Sequence, residues 1–272
     1  MSSYTPLQLA EAFIHAGEMQ DALAALDDHL IAQPDDHATR RLRAQVRLRV
    51  GTSAQLNAAL ADLNALPANP ADGLTRSVIL ERLNRPADAL AAARTALEAA
   101  TDEQIRSRVL ERLLGLMRSQ GQLQAALDLA LEHDWVQWAA DAAADLGDAA
   151  QAITYYTHAL KRIEALRGQV PDNIVENIRA RVLLKRAGAY QNLDDLTGAS
   201  VDYALAHAIV PDDPMIRFNQ GLIAHLRGTD ATAELQAALD AAPPALRALM
   251  HQEIASDDRY ITLRPLLDDA KK

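Results

Sequence analysis

Apolar residues recur along this chain at helical spacing, interrupted at regular intervals by Gly, Asn or Asp. In Leu9–Asp36, the residues Leu9, Ala10, Phe13 and Ala16 share one face of a helix. Gly17 breaks that helix. Ala22, Leu23, Leu26 and Leu30 then form a second apolar face, which Pro34 stops. Thr5-Pro6-Leu7-Gln8 reads as a start signal, with Thr5 as N-cap, Pro6 at the first helical position and Gln8 closing a capping box. The pattern predicts a complete helix–turn–helix.

The same grammar returns at Arg186–Asp213, where Ala187, Tyr190, Ala199, Tyr203, Ala206 and Pro211 take the places of Ala10, Phe13, Ala22, Leu26, His29 and Pro34. Inter-helix turns fall at Gly17, Gly51, Asn84, Gly121, Gly147, Asp194 and Gly228, so successive spacings are 34, 33, 37, 26, 47 and 34 residues. The two outliers are adjacent and together come close to two periods, so the phase is kept. On these residues the chain resembles the tetratricopeptide repeat family, whose period is about 34. In that family a small residue in the first helix admits the second helix, a large residue one turn later plugs the gap, and a Pro ends the unit. The resemblance implies an all-α, right-handed solenoid of about seven helix hairpins with a C-terminal helical cap. The expected repeats are 5–36, 37–70, 71–101, 102–133, 134–171, 172–213 and 214–243, with the cap at 244–272. A solenoid needs its last apolar face covered, and Ala245, Leu246, Leu249, Met250, Tyr260, Leu263, Leu266 and Leu267 suit that purpose. Asn69-Pro70-Ala71-Asp72 is the most linker-like site, but the phase crosses it and one domain over 1–272 is expected.

Several copies depart from the family pattern. The second has Arg47 in the large apolar slot and Leu56 in a small one, the third uses Ser77 and Leu80, and the fourth has Leu114 in the small slot. The fourth copy's second helix, roughly residues 122–133, is expected to end where Asp134 starts a new helix with an Asp-Trp-Val-Gln capping box. The fifth copy's second helix is expected to run through Leu166 to Gly168, with a protrusion around Arg167–Asp172 before a long helix restarts.

Composition narrows the function. The chain is 49% hydrophobic but 4% aromatic, so its core must be Ala and Leu. A net charge of −10 opposes non-specific nucleic-acid binding. There is no Cys, which excludes disulfides and thiol chemistry. No leader segment is visible at Met1–Pro6 and no apolar stretch reaches the roughly 20 residues of a membrane span, so a cytoplasmic location is expected. The eight His residues form no pair flanking a Glu at metal-ligand spacing. His29 and His207 are read as matching repeat slots, hence packing, and the Asp27–His29 and Asp35–His37 triplets lack a ligand set. No phosphate-binding Gly loop or nucleophile elbow occurs. No enzyme activity, cofactor or metal is expected.

The resemblance further implies that first helices line a concave groove and second helices face outward. The first helices carry Arg40, Arg41, Arg43, Arg47, Arg49, Arg76, Arg82, Arg106, Arg108, Arg112, Arg118, Arg179, Arg181, Lys185 and Arg186, while Asp27, Asp28, Asp35, Asp36, Asp128, Glu132, Asp195 and Asp202 lie on second helices and loops. Such a groove favours an anionic partner segment. Five Arg in ten residues cannot share one helical face, and Arg41, Gln45 and Arg49 form the best inward set in the second unit. Arg82, Glu111, Arg118, Trp138, Asp141, Arg181, Lys185 and Asn219 complete the candidate surface. The family's two-carboxylate clamp for a C-terminal tail is not reproduced. Trp135 and Trp138, three apart, either anchor a partner or fill the gap of the short fourth unit. The leading reading is an interaction scaffold for another protein or peptide, with no nucleic acid and no membrane. A regulatory receptor for a peptide or small anion and a self-associating subunit are the alternatives.

Overall fold

A computed structural model describes residues 4–267 of the chain. Among those residues the secondary structure is helical, with one isolated bridge between Arg167 and Val170. The chain divides into two compact units, one ending at Gln122 and the other beginning at Leu123. The first unit holds α1 (Pro6–Ala16), α2 (Met19–Ala32), α3 (His37–Val50), α4 (Ser53–Asn64), α5 (Pro70–Arg82), α6 (Pro86–Ala99) and α7 (Glu103–Ser119). The second holds α8 (Leu123–Glu132), α9 (Val136–Asp145), α10 (Ala149–Glu164), α11 (Asp172–Asn192), α12 (Leu196–Ile209), α13 (Pro214–Leu226), α14 (Thr232–Ala241) and α15 (Pro244–Ser256), then a 3-10 helix, Asp258–Leu267. In chain order this is a tandem array of helix pairs closed by a helical cap. Residues 268–272 of the expected cap lie outside the described residues.

Local chemistry sets the helix ends. The capping box at α1 forms as expected: the Gln8 N–H donates to the Thr5 hydroxyl, and the Thr5 N–H donates to the Gln8 side chain at 2.9 Å. Asp36, Thr52, Asn69, Asp102, Asp148, Asp195 and Asp213 cap later helices through their side chains. All seven turn residues read from the sequence have positive φ, between 56° and 82°. Five are Gly; Asn84 and Asp194 occupy the same left-handed conformation, which short polar side chains tolerate. The residue seven positions before each turn is buried in every pair: Ala10, Ala44, Ser77, Leu114, Ala140, Ala187 and Gly221. In the pairs that lie within one unit, the second helix closes on the first here. A methyl group built on Gly221 would lie 2.8 Å from Leu235 of α14.

Two boundary expectations fail. Asp134 does not cap α9. Its φ is +57°, and the Trp135 N–H bonds back to the Ala130 carbonyl at 2.7 Å, so Asp134 closes α8 in the left-handed turn conformation. An N-cap needs extended dihedrals, so α9 starts only at Val136, with no side-chain cap. Helices α8 and α9 are therefore both ten residues long. Helix α10 ends at Glu164 rather than at Gly168. Exposed residues 164–169 then lead into α11, held by Arg167, which pairs with both Glu164 and Glu176.

The cores are small-residue interiors with a few large plugs. In the first unit Ala10, Ala22, Leu23, Leu26 and Val46 cluster. At the C-terminal end Phe218, Leu222, Leu235, Met250, Ile254, Tyr260 and Leu263 form the cap core. Tyr260 is fully buried and accepts a hydrogen bond from Gln191 of α11, whose amide oxygen accepts one from Tyr203. That network fastens the cap to a hairpin far back in the chain. Burial pushes the Tyr260 hydroxyl up to about 12.

Candidate functional site

The first-helix cations are placed by α3, α5, α7 and α11, and most of them are already occupied. Arg41 of α3 brings its Nε to both carboxylate oxygens of Asp72 on α5, at 3.0 and 2.9 Å, and Asp72 is buried. Arg43 and Arg47 converge on Asp62 of α4, another buried carboxylate, at 2.5 and 2.6 Å, and Arg43 also reaches Asp27 at 2.6 Å. Burial depresses the Arg43 pKa, but the hydrogen bonds to Asp62 and Asp27 more than offset this, leaving it raised. Arg112 of α7 spans to α5, bonding Glu81 at 2.8 Å and the Ser77 hydroxyl at 3.2 Å.

The second unit repeats the device. Lys185 of α11 lies 2.6 Å from Asp141 of α9, whose other oxygen accepts from the Tyr156 hydroxyl at 2.7 Å. Arg186 grips Asp202 of α12 with Nε and Nη2 at 2.7 and 2.8 Å. The hydrogen bond to Asp202 raises the Arg186 pKa. Asp202 is 1% exposed, so the expectation that second-helix acid faces outward fails for this residue. A buried carboxylate needs a partner, and the nearest cation is on its own hairpin.

This leaves the predicted surface divided. Arg41, Asp141 and Lys185 serve the packing of neighbouring first helices. Gln45, Arg49, Arg82, Glu111 and Arg181 are exposed, whereas Asn219, Arg118 and Trp138 are half-buried. Arg82 donates to the Leu48 carbonyl at 3.0 Å, which brings its guanidinium to the C-terminal end of α3, one residue from Arg49. Among the described residues neither Arg49 nor Arg82 pairs with a carboxylate in its unit. Phe218 is packed beneath the cap.

Trp135 and Trp138 border a cleft of about 270 Å³ with Asp134, Ala159, Arg162 and Ile163. Arg162 spans its rim, bonding the Asp134 carboxylate at 2.7 Å and its carbonyl at 3.0 Å. The two histidines read as equivalent are not. His29 is buried and bonded to Asp36 at 3.0 Å, whereas Ala206 takes its buried place in the later hairpin and His207 is half-buried beside a separate cavity. Among the described residues, no three His, Asp or Glu side chains are grouped to hold a metal ion, and no helix is long and apolar enough to cross a membrane.

Sequence reasoning missed Asp62 and the role of Asp72, and did not pair Asp27, Asp141 or Asp202 with the cations they receive. A signal existed: Arg43 and Arg186 each lie eight residues before a turn residue, and each meets an Asp on the second helix of its hairpin.

No family model matches the sequence, and none of the curated proteins is significantly similar to it. Solved structures are similar. The C-terminal part of a TPR repeat-containing protein from Cytophaga hutchinsonii aligns over 85% of this chain and 92% of its own, with a TM-score of 0.60 and 14% identity. A tetratricopeptide repeat protein from Parabacteroides merdae aligns over 96% of both chains, with a TM-score of 0.52 and 15% identity. The fold is that of the tetratricopeptide repeat. The type IV pilus biogenesis factor PilW shares it over 76% of this chain and 92% of its own, at a TM-score of 0.53 and 20% identity. At such identities the likeness is one of architecture. The tetratricopeptide register makes α3, α5 and α11 first helices, so the ion pairs Arg41–Asp72 and Lys185–Asp141 run between first helices of neighbouring repeats.

Proposed function

We propose that this chain is a protein-binding scaffold that holds a partner segment on its first-helix face, in a groove lined by α3, α5 and α7. The observation that carries the reading is the pair Arg49 and Arg82. Once Arg41, Arg43, Arg47 and Arg112 are assigned to internal carboxylates, exposed Arg49 remains at the end of α3, where the Arg82 guanidinium bonds the carbonyl of the preceding residue, Leu48. Gln45 stands one turn earlier on the same helix. An acidic chain that gathers uncompensated Arg at one point suits a carboxylate- or phosphate-bearing segment. The tetratricopeptide fold supports the reading because its rows of helices present extended binding surfaces.

The test is charge reversal at Arg49 and Arg82 together, leaving Arg41 intact. Capture from the host extract with the full chain should retain a partner whose binding weakens with salt. The Arg49→Glu, Arg82→Glu chain should lose it. A partner bound equally by both chains would remove this site. Arg41 is the wrong residue to reverse, because Arg41→Glu would set a second carboxylate against buried Asp72 and unfold the face it was meant to probe.

A further inference from the structure

The cavity beside His207 opens where the last hairpin is underfilled. Four residues before the turn, Phe13, Arg47, Leu80 and Tyr190 hold a place that Ala224 takes in α13. The α9/α10 pair also has an Ala there, Ala143, but packs it in one cluster with Tyr156. Residues 227–231 separate α13 from α14, five residues where two or three separate the helices of the other pairs. The cavity that results measures about 470 Å³, within the ~300–1,000 Å³ of small-molecule sites. Gly221, Ala224 and Ala237 form its apolar wall. His207 from the last turn of α12 and Arg217 from the first turn of α13 line one end. Asp230 and Glu234, at the start of α14, line the other. Leu235 lies against Gly221, so Glu234 sits about one helical turn, ~5 Å, further along α13 than Arg217.

The charges of this cavity do not pair. In α3 and α11 the half-buried cations Arg43 and Arg186 are taken by Asp62 and Asp202 on the second helix of their own hairpin. Among the described residues neither Arg217 nor Glu234 forms an ion pair, although both line one cavity. The Arg217 guanidinium donates to the Asp212 carbonyl at 3.2 Å, while its Nε and the Nδ1 of His207 are buried without a hydrogen-bond partner. Asp230 already accepts the Thr232 N–H at 3.1 Å, which leaves Glu234 as the unengaged carboxylate. We infer that the cavity binds a zwitterion, an α-amino acid with an uncharged side chain, its carboxylate held by Arg217 and its ammonium by Glu234. The two protein charges stand too far apart to pair, yet close enough for both groups of one α-carbon to bridge them. The guanidinium fork suits a carboxylate bidentately. An anion alone would be set against Glu234 and Asp230, and a cation alone against Arg217; the zwitterion meets neither repulsion. The small residues of the apolar wall leave room for its side chain.

Titration calorimetry of the full chain with the free L-amino acids, one at a time, should show saturable binding of at least one with an uncharged side chain. The amide and the N-acetyl derivative of that amino acid each keep a single charge, and each should bind about tenfold more weakly or worse. Glu234→Gln should weaken binding of the parent by a similar factor. Glu234 is exposed and unpaired, so this variant should keep the thermal unfolding curve of the wild type. Arg217→Gln should remove binding from the carboxylate end. Amide exchange in α13 and at the start of α14 should slow when the amino acid is added, which places the ligand independently of the variants. Failure of every free amino acid to bind, a derivative that binds as tightly as its parent, or binding indifferent to Glu234→Gln and Arg217→Gln would each overturn the inference. Arg49 and Arg82 belong to the other unit, so failure here leaves the first-helix site untouched.

Discussion

In the hairpin α11/α12 the two helices meet over Ala187, Ala199 and Tyr203, with Gly198 pressed so close that a methyl group there would lie 2.8 Å from the ring of Tyr190. In α3/α4 the same region holds Arg43, Arg47 and Asp62. Tyr190 and Arg47 occupy one place in the repeat, four residues before the turn. One hairpin fills it with a ring, the other with a guanidinium whose hydrogen bonds go to Asp62 and the Ala58 carbonyl. The geometry of closure is kept while its chemistry changes, which is how a repeat becomes degenerate without losing its fold. The ionic version carries a liability. Its stability rests on mutual satisfaction, and removing one partner of a buried pair costs more than the pair contributes.

The largest expected effect follows from that asymmetry. Asp62→Ala removes the one buried carboxylate that Arg43 and Arg47 share, leaving Arg43 only the half-exposed Asp27 and Arg47 the Ala58 carbonyl, and should cost about 3–5 kcal/mol. Asp202→Ala affects one guanidinium, Arg186, which keeps a hydrogen bond to Thr157 at 2.9 Å. It should cost less. Amide hydrogen exchange in α3 and α4 compared with α11 and α12 reads the two changes separately. Equal losses would mean that Arg43 and Arg47 relax into solvent and that the ionic core is not mutually dependent.

Gly198→Ala tests the apolar version. The added methyl collides with Tyr190 and approaches the Asp195 carboxylate, so overpacking should cost about 1–3 kcal/mol despite the better helix propensity of Ala. The equivalent site of α4, four residues after the turn, already holds Gln55, so Gln55→Ala should be nearly silent. A smaller change is expected at the cap. Tyr260→Phe removes the bond from Gln191 and should cost about 1 kcal/mol. Gln191→Leu leaves the Tyr203 and Tyr260 hydroxyls both without it and should cost more. Denaturation of the cap, followed through exchange of α15 amides, ranks the two.

The local rules were readable in the sequence, and the pairings were not. Turn positions depend on which residues tolerate a left-handed conformation, and the buried place seven residues earlier follows from helical periodicity; both are properties of one segment. The fate of Arg41 depends on Asp72, which lies 31 residues away on another helix. Nothing in the sequence of α3 distinguishes an Arg turned to a neighbouring helix from one turned to solvent. Asp134 shows a different limit. An Asp between two helices satisfies both the left-handed end of the first and the N-cap of the second, and only the bond from Trp135 back to Ala130 decides between them.

The smallest effect concerns two N-caps at the same place in their repeats, Asp36 before α3 and Asp213 before α13. Both accept backbone N–H bonds. Asp36 also accepts the Thr39 hydroxyl at 2.7 Å and bonds the His29 ring, whereas Ile216 and Ala206 stand at those places beside Asp213. The Thr39 hydroxyl, then its N–H and His29, hold the Asp36 carboxyl down at about 2, below its ordinary 3.8. A depressed folded pKa contributes stability above about 4 that is lost as pH falls toward about 2. Asn also caps helices, so Asp36→Asn should cost little at neutral pH, about 1 kcal/mol or less. The difference between wild type and Asp36→Asn, measured by urea unfolding at a series of pH values, should shrink between pH 4 and pH 2. The same series for Asp213→Asn supplies the contrast, because that cap lacks the Thr and His partners. A wild-type advantage over Asp36→Asn that persists unchanged at pH 2 would mean that cap geometry rather than charge distinguishes the two sites.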